Sequence, residues 1–276
     1  MKTVLVQALF WASALSSEIN WANVKPLLEY PELAGEAPDT FMIGGQEPAL
    51  HQFPFMAALI NHRPSGDSLC GGSLINNRAV LTSAVCIYGA LNTIVVLGGH
   101  DLQSTTERFQ ARFRVQSTNY RIHPNFVRHR SSSLNDVAIV RLSFEIAFFN
   151  TGVRSLTVSP VREVTNLVMM GYGRTNSNAI ANGYTLRYAP VSVPNICLSI
   201  FHLPFSVVHS QHICTTGNAR SLCSGSLGGP LISIRNGIPT QVGIASFYSN
   251  NCRANEPSVF TSTFNADIFR WITENS

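Results

Sequence analysis

The residues most able to do chemistry lie in three short stretches: Thr82-Ser83-Ala84-Val85-Cys86, Leu134-Asn135-Asp136-Val137-Ala138, and Cys223-Ser224-Gly225-Ser226-Leu227-Gly228-Gly229-Pro230. The last is a tight, glycine-rich loop carrying two hydroxyls, Ser224 and Ser226. A serine attacks a carbonyl only when a base takes its proton and an acid orients that base. Asp136 is the one carboxylate in these stretches, and none of them holds a histidine. Val85 cannot accept a proton, and Leu227 has no heteroatom with which to attack.

The three stretches stand in order with Met42-Ile43-Gly44-Gly45, Cys70-Gly71-Gly72-Ser73-Leu74-Ile75 and Ser246-Phe247-Tyr248. Together they resemble the landmarks of chymotrypsin- and trypsin-like serine proteases, in the style of arthropod chymotrypsin- and brachyurin-like members. The resemblance covers residues 42–276. In that family the first stretch reads Thr-Ala-Ala-His-Cys, so Val85 stands where the catalytic histidine belongs. The residues before Gly-Gly-Pro are Asp-Ser, so Leu227 stands in place of the nucleophile and Ser226 in place of the aspartate that pairs with the activated N-terminus. Asp136 matches the triad aspartate. The resemblance therefore implies an inactive serine protease homologue with the degenerate triad Val85, Asp136 and Leu227.

It implies more about the surroundings. The retained Asp136 is expected to keep the Ser246 hydroxyl and backbone N–H groups near Ala84 and Val85, with a raised pKa. Ser224 and Ser226 adjoin the lost nucleophile without a base to activate them. The activating ammonium has no anion to meet at Ser226, and Phe41 offers no Arg or Lys for a trypsin-like activator, so activation-type insertion is not expected. The specificity pocket maps to Ser221, Ser246, Tyr248 and Ser258, with Tyr248 filling the space of a substrate side chain. The six cysteines allow fifteen pairings by spacing alone; the resemblance implies Cys70–Cys86, Cys197–Cys214 and Cys223–Cys252.

These residues need a scaffold, and the chain supplies one. From residue 42 onward, short apolar runs at 55–60, 79–83, 93–97, 109–115, 137–142, 167–171 and 243–247 are broken by Gly, Pro, Asn and Ser. Such runs predict an all-β architecture. The resemblance makes it two packed six-stranded antiparallel β-barrels with the site in the cleft between them. Only the C-terminus reads as an α-helix, with Asn265 as N-cap, Phe264 and Phe269 as a staple, and Ile268, Trp271 and Ile272 as its apolar stripe. The apolar fraction of 45% is ample for a core.

Residues 1–16 read as a secretory signal peptide: Lys2, an apolar run over residues 4–15, and Ala14-Leu15-Ser16 as cleavage site. The run is too short to span a membrane. Residues 17–41 read as an extended acidic pro-segment, with Glu18, Glu29, Glu32, Glu36 and Asp39 against Lys25 alone, and without cysteine. Residues 42–276 form the protease-like domain, secreted and extracellular, where disulfides persist.

The charge reverses in that domain: 17 arginines, no lysine and 10 acidic residues give a net +7. In the 108–115 run, alternation places Arg108, Arg112 and Arg114 on a solvent face, and Arg121, Arg128 and Arg130 extend it. Such arginines could bind sulfate, phosphate or carboxylate, or simply be solvated. His209 and His212 lack a third ligand for zinc, the 98–102 loop lacks an acidic calcium ligand, and no metal or other cofactor is expected. The favoured reading is a binding protein, cofactor or decoy in an extracellular protease cascade, of immunity or reproductive fluid by family analogy. Its partners would be extracellular proteins such as an active protease or its substrate, with no nucleic acid and no membrane span. The alternatives are an arginine-mediated binder of sulfated glycans or microbial surfaces, and a residual hydrolase.

Overall fold

The computed structural model describes residues 19–27, 45–128, 133–149, 151–172, 184–194, 210–216, 222, 225–248 and 257–276. Its strands are β1 (Val24–Pro26), β2 (Met56–Arg63), β3 (Gly66–Leu74), β4 (Ala79–Thr82), β5 (Asn92–Leu97), β6 (Ala111–Gln116), β7 (Tyr120–Ile122), β8 (Val127–Arg128), β9 (Ser133–Leu134), β10 (Ala138–Arg141), β11 (Thr157–Val158), β12 (Leu167–Tyr172), β13 (Leu186–Val191), β14 (His212–Thr215), β15 (Pro230–Arg235), β16 (Ile238–Tyr248) and β17 (Ser258–Ser262). The helices are α1 (Ala84–Ile87) and α2 (Ala266–Asn275).

Two sheets follow the two halves of the chain. The first runs β6-β5-β2-β3-β4-β10-β7, with β1 added to β3. The second runs β13-β12-β15-β16-β17-β14, with β11 added to β16. The sheets form half-barrels of a chymotrypsin-like fold. With β1 and β11 counted, the sheets hold eight and seven strands, where the resemblance implied six apiece. Pairing in both is antiparallel except at β1 and β11.

Local sequence explains the hairpins. β15 and β16 meet through Asn236-Gly237, with φ of 50° and 78°. Both values lie in the left-handed region that a two-residue hairpin requires and that Asn and Gly tolerate. The helix α2 begins where Asn265 Oδ1 accepts from Asp267 N at 3.1 Å and Ile268 N at 3.2 Å. Ile268 and Ile272 face inward against Ala79, Leu81, Val137 and Ile139.

The core lies between the sheets. Leu59, Val95 and Leu97 of the first share one cluster with Leu167, Met169, Leu231 and Phe260 of the second. Polar cross-links join the halves as well. Ser73 Oγ donates to Gln241 Oε1 at 2.6 Å, and Tyr172 Oη donates to Gly99 O at 2.8 Å. The disulfide Cys70–Cys86 closes a loop of sequence separation 16, which stabilises by about 3 kcal/mol. Cys214 is also disulfide-bonded; Cys197, Cys223 and Cys252 lie outside the described residues.

The acidic lead is not separate from this body. Val24–Pro26 pairs in parallel with residues 67–69 of β3, and Ile19, Val24 and Leu27 are buried. Part of the segment expected to precede the domain is thus one of its strands.

Candidate functional site

Glycines bring the site together. Gly71 N donates to Leu227 O at 2.7 Å, locking β3 against the loop before β15. A Cβ on Gly71 would meet Gly229 Cα at 2.9 Å, and one on Gly229 would meet Met170 O at 2.5 Å. Gly228 sits at φ +78° with its backbone against Thr82 Oγ1 and Gly71 O. Only glycine combines that dihedral with that approach. Gly71 of one motif and the Gly228-Gly229 pair of the other therefore form one interlock, which sets Leu227 beside the 82–86 stretch.

Asp136 anchors the other side. It is fully buried two residues before β10, beside Asn135, which holds a positive φ of 51°. Its Oδ1 accepts from Val85 N at 2.9 Å, and its Oδ2 accepts from Ser246 Oγ at 2.5 Å. Burial pushes its pKa from 3.8 up to about 6, although the Ser246 hydroxyl, the Val85 and Ala84 N–H groups and the Arg128 charge all favour the carboxylate. Desolvation wins because these partners together replace less than full hydration.

The side chains of Val85 and Leu227 do no polar work. Val85 is 8% exposed and Leu227 2%, and both belong to one apolar cluster with Ala84, Cys86, Leu222, Ala245 and Tyr248. The main chains keep their bonds while the side chains have joined the core. Ser226 is buried against Gly171, its Oγ without a hydrogen-bond partner among the described residues. Tyr248 is buried, and Ser258 Oγ accepts from Leu222 N at 2.8 Å. Ser221 and Ser224 lie outside the described residues.

The histidines of the described residues are occupied elsewhere. His62 Nδ1 pairs with Asp67 at 2.5 Å, and His100 Nε2 with Glu47 at 2.8 Å. His51 stacks edge-on against Phe109, and His123 packs on Trp271 at 5.3 Å. His212 is buried with Nε2 donating to Ser133 O at 2.9 Å, and burial lowers its pKa to about 4. A neutral, hydrogen-bonded imidazole explains it; its sequence neighbour His209 lies outside the described residues. No cluster of three metal-ligating side chains occurs among the described residues.

The arginine face is less uniform than alternation predicts. Arg112 is 4% exposed, and its Nη2 donates to Leu102 O at 2.8 Å and Ser104 O at 3.1 Å. It staples the 98–110 loop, whose other tie is Glu107: that carboxylate accepts from His100 N at 2.7 Å and Asp101 N at 3.0 Å. Arg112 is therefore a structural cation, because a loop and the lead cover what a bare strand would expose. Arg108 is exposed beside the Phe109 ring, Arg114 bonds Asn92 Oδ1 at 2.7 Å, and Arg121 caps the Thr118 and Tyr120 carbonyls. Arg128 lies near enough to Asp136 to lower its pKa. Arg130 lies outside the described residues. Arg114 and Arg121 sit on β6 and β7, the two end strands of the first sheet's path.

Two half-barrels with a glycine interlock and a buried Asp–Ser pair between them define a chymotrypsin-like scaffold. The family model described as Trypsin matches residues 42–272, and the chain belongs to that family. Its arthropod relatives include Chymotrypsin of Phaedon cochleariae, 28% identical over 100% of this chain and 98% of the relative. Brachyurin of Leptuca pugilator is 32% identical over 80% of this chain and 92% of its own length. Phenoloxidase-activating factor 3 of Holotrichia diomphalia is 27% identical over 86% and 73% respectively.

Proposed function

We propose that this chain is a secreted, non-catalytic member of the trypsin family that acts by binding within an extracellular protease cascade, as a cofactor or decoy for an active protease or its substrate. The carrying observation is that Val85 and Leu227, at the positions of the family's base and nucleophile, are buried in one apolar cluster. No step of acyl transfer is open to them: one cannot take a proton and the other has none to give. Asp136 survives because it organises the backbone at Val85 and the Ser246 hydroxyl, a structural duty independent of an imidazole.

The cascade role is supported by relatives named for an activating role and for a serine protease, Phenoloxidase-activating factor 3 and CLIP domain-containing serine protease B4 of Anopheles gambiae. A disulfide-bonded domain fits an oxidising, extracellular setting, and no helix among the described residues is long and apolar enough to cross a membrane. Binding to sulfated glycans is the weaker reading, since Arg112 is committed to the 98–110 loop. The test is labelling of the purified protein by a fluorophosphonate, alongside an active trypsin-family enzyme. No label on the chain under conditions that saturate the enzyme is expected; stoichiometric label would overturn the reading.

A further inference from the structure

Residues 19–27 are held in the manner of a bound peptide. Val24, Lys25 and Pro26 pair with Asp67, Ser68 and Leu69. That part of β3 has β2 on its other side, and β4 reaches only residues 73 and 74. Three side chains anchor the segment: Ile19, Val24 and Leu27 are 6%, 4% and 0% exposed. Ile19 and Val24 enter a cluster with Ile60, Val96, Leu102, Tyr184 and Ile232, which spans both half-barrels.

Trp21 is held by an aromatic and a cationic contact. Its ring lies 4.7 Å from the Tyr184 ring, while the Arg112 guanidinium stands 5.8 Å above it. The Tyr184 hydroxyl lies 2.8 Å from Val24 O and 3.0 Å from Trp21 O, so it can donate to either carbonyl. One tyrosine thereby reads the aromatic side chain, the turn that carries it and the strand that follows. Strand addition supplies main-chain bonds, and pockets for alternate side chains supply selectivity.

We propose that residues 19–27 occupy a built peptide-binding groove. The groove is formed by the edge of β3 at residues 67–69, the slot between Arg112 and Tyr184, and the apolar cluster behind them. Its ligand is a turn followed by a short strand, with the pattern Ile-x-Trp-x-x-Val-x-x-Leu, supplied here by the chain's own lead: Asn23 N donates to Asn20 O at 2.9 Å, and Val24–Pro26 is the strand. The lead contains no cysteine, so a cut between residues 28 and 44 leaves a second chain held by non-covalent contacts alone. Cleavage of the link then does not remove the segment, whether or not the domain is catalytic.

The experiment uses the full chain with a sequence-specific protease site inserted between Gly35 and Glu36 and a C-terminal tag. After complete digestion the tagged domain is immobilised and washed, and the retained lead fragment is followed by mass spectrometry. The fragment is expected to stay through native washing and to leave in urea. The Trp21→Ala and Tyr184→Phe variants should release it about tenfold faster or more, as loss of an anchoring contact does. Melting of the uncut Tyr184→Phe protein confirms that its fold is intact. Release of the wild-type fragment from a still-folded domain would overturn the proposal, as would variants that hold the fragment as long as wild type.

Discussion

Replacing Asp136 by asparagine separates the charge of this residue from its shape. In the native protein the carboxyl is fully buried, and its pKa rises from 3.8 to about 6. A carboxyl raised in the folded state binds its proton more tightly there than in the unfolded chain. Its contribution is therefore most favourable at low pH and declines as pH rises from about 4 to about 6. Above that window the loss is complete, and the rise from 3.8 to about 6 corresponds to about 3 kcal/mol. In the Asp136→Asn variant the amide oxygen would still accept from Val85 N, and the NH₂ would donate to Ser246 Oγ, which then serves as acceptor. The strength of the bonds to the charged carboxylate is already contained in that pKa, and the neutral amide stands in for the protonated carboxyl. Asp136→Asn is thus expected to be more stable than wild type by about 3 kcal/mol at pH ~7.5. The gap should shrink by about 2 kcal/mol at pH ~4.5, where the wild-type carboxyl is mostly protonated. Urea unfolding of the disulfide-intact proteins at the two pH values, followed by tryptophan fluorescence, measures this difference while cancelling the titration of every other group. A gap that does not change with pH would refute the reasoning, as would a variant less stable than wild type at the higher pH.

Restoring the triad residues alone should not restore hydrolysis. Val85→His with Leu227→Ser is expected to leave peptide-ester turnover at background, because uncharged Ser226 is no partner for an N-terminal ammonium; turnover well above background would show that Ser226 is not limiting. Arg112→Ala should destabilise the fold by about 2–3 kcal/mol through the freed Leu102 and Ser104 carbonyls, read by thermal melting. Arg114→Ala should change stability by less than about 0.5 kcal/mol while lowering the salt at which the protein leaves heparin. Reversal of these two stabilities would return Arg112 to the surface.

Much of the site was legible along the chain. The cysteines, the Gly-Gly pairs and the neighbours of Val85, Asp136 and Leu227 are local words in a fixed order, and each carries its own physical demand. Gly228 needs a left-handed dihedral against Thr82, Asn265 caps α2, and Ser246 reaches Asp136 because the family scaffold brings those strands together. Short apolar runs likewise located β2, β4, β5, β6, β10, β12 and β16, since a buried strand writes its apolar side chains into a short stretch of sequence.

Alternation could not say what lies outside the pleat. It assigned Arg112 to solvent because its neighbours Ala111 and Phe113 face the other way, which is correct for an uncovered sheet. In the folded chain the 98–110 loop and Trp21 form a further layer over that face, and the guanidinium is buried by them. The lead shows the same limit. Its prolines and charges read as a removable tail, yet its hold depends on Tyr184, whose hydroxyl meets Trp21 O across 163 residues of sequence. The family scaffold rests on residue type and short spacing, so the order of residues was enough to reveal it. Which cation is buried, and that the lead is a strand, emerge only on folding, because both depend on pairing between distant segments that no local pattern records.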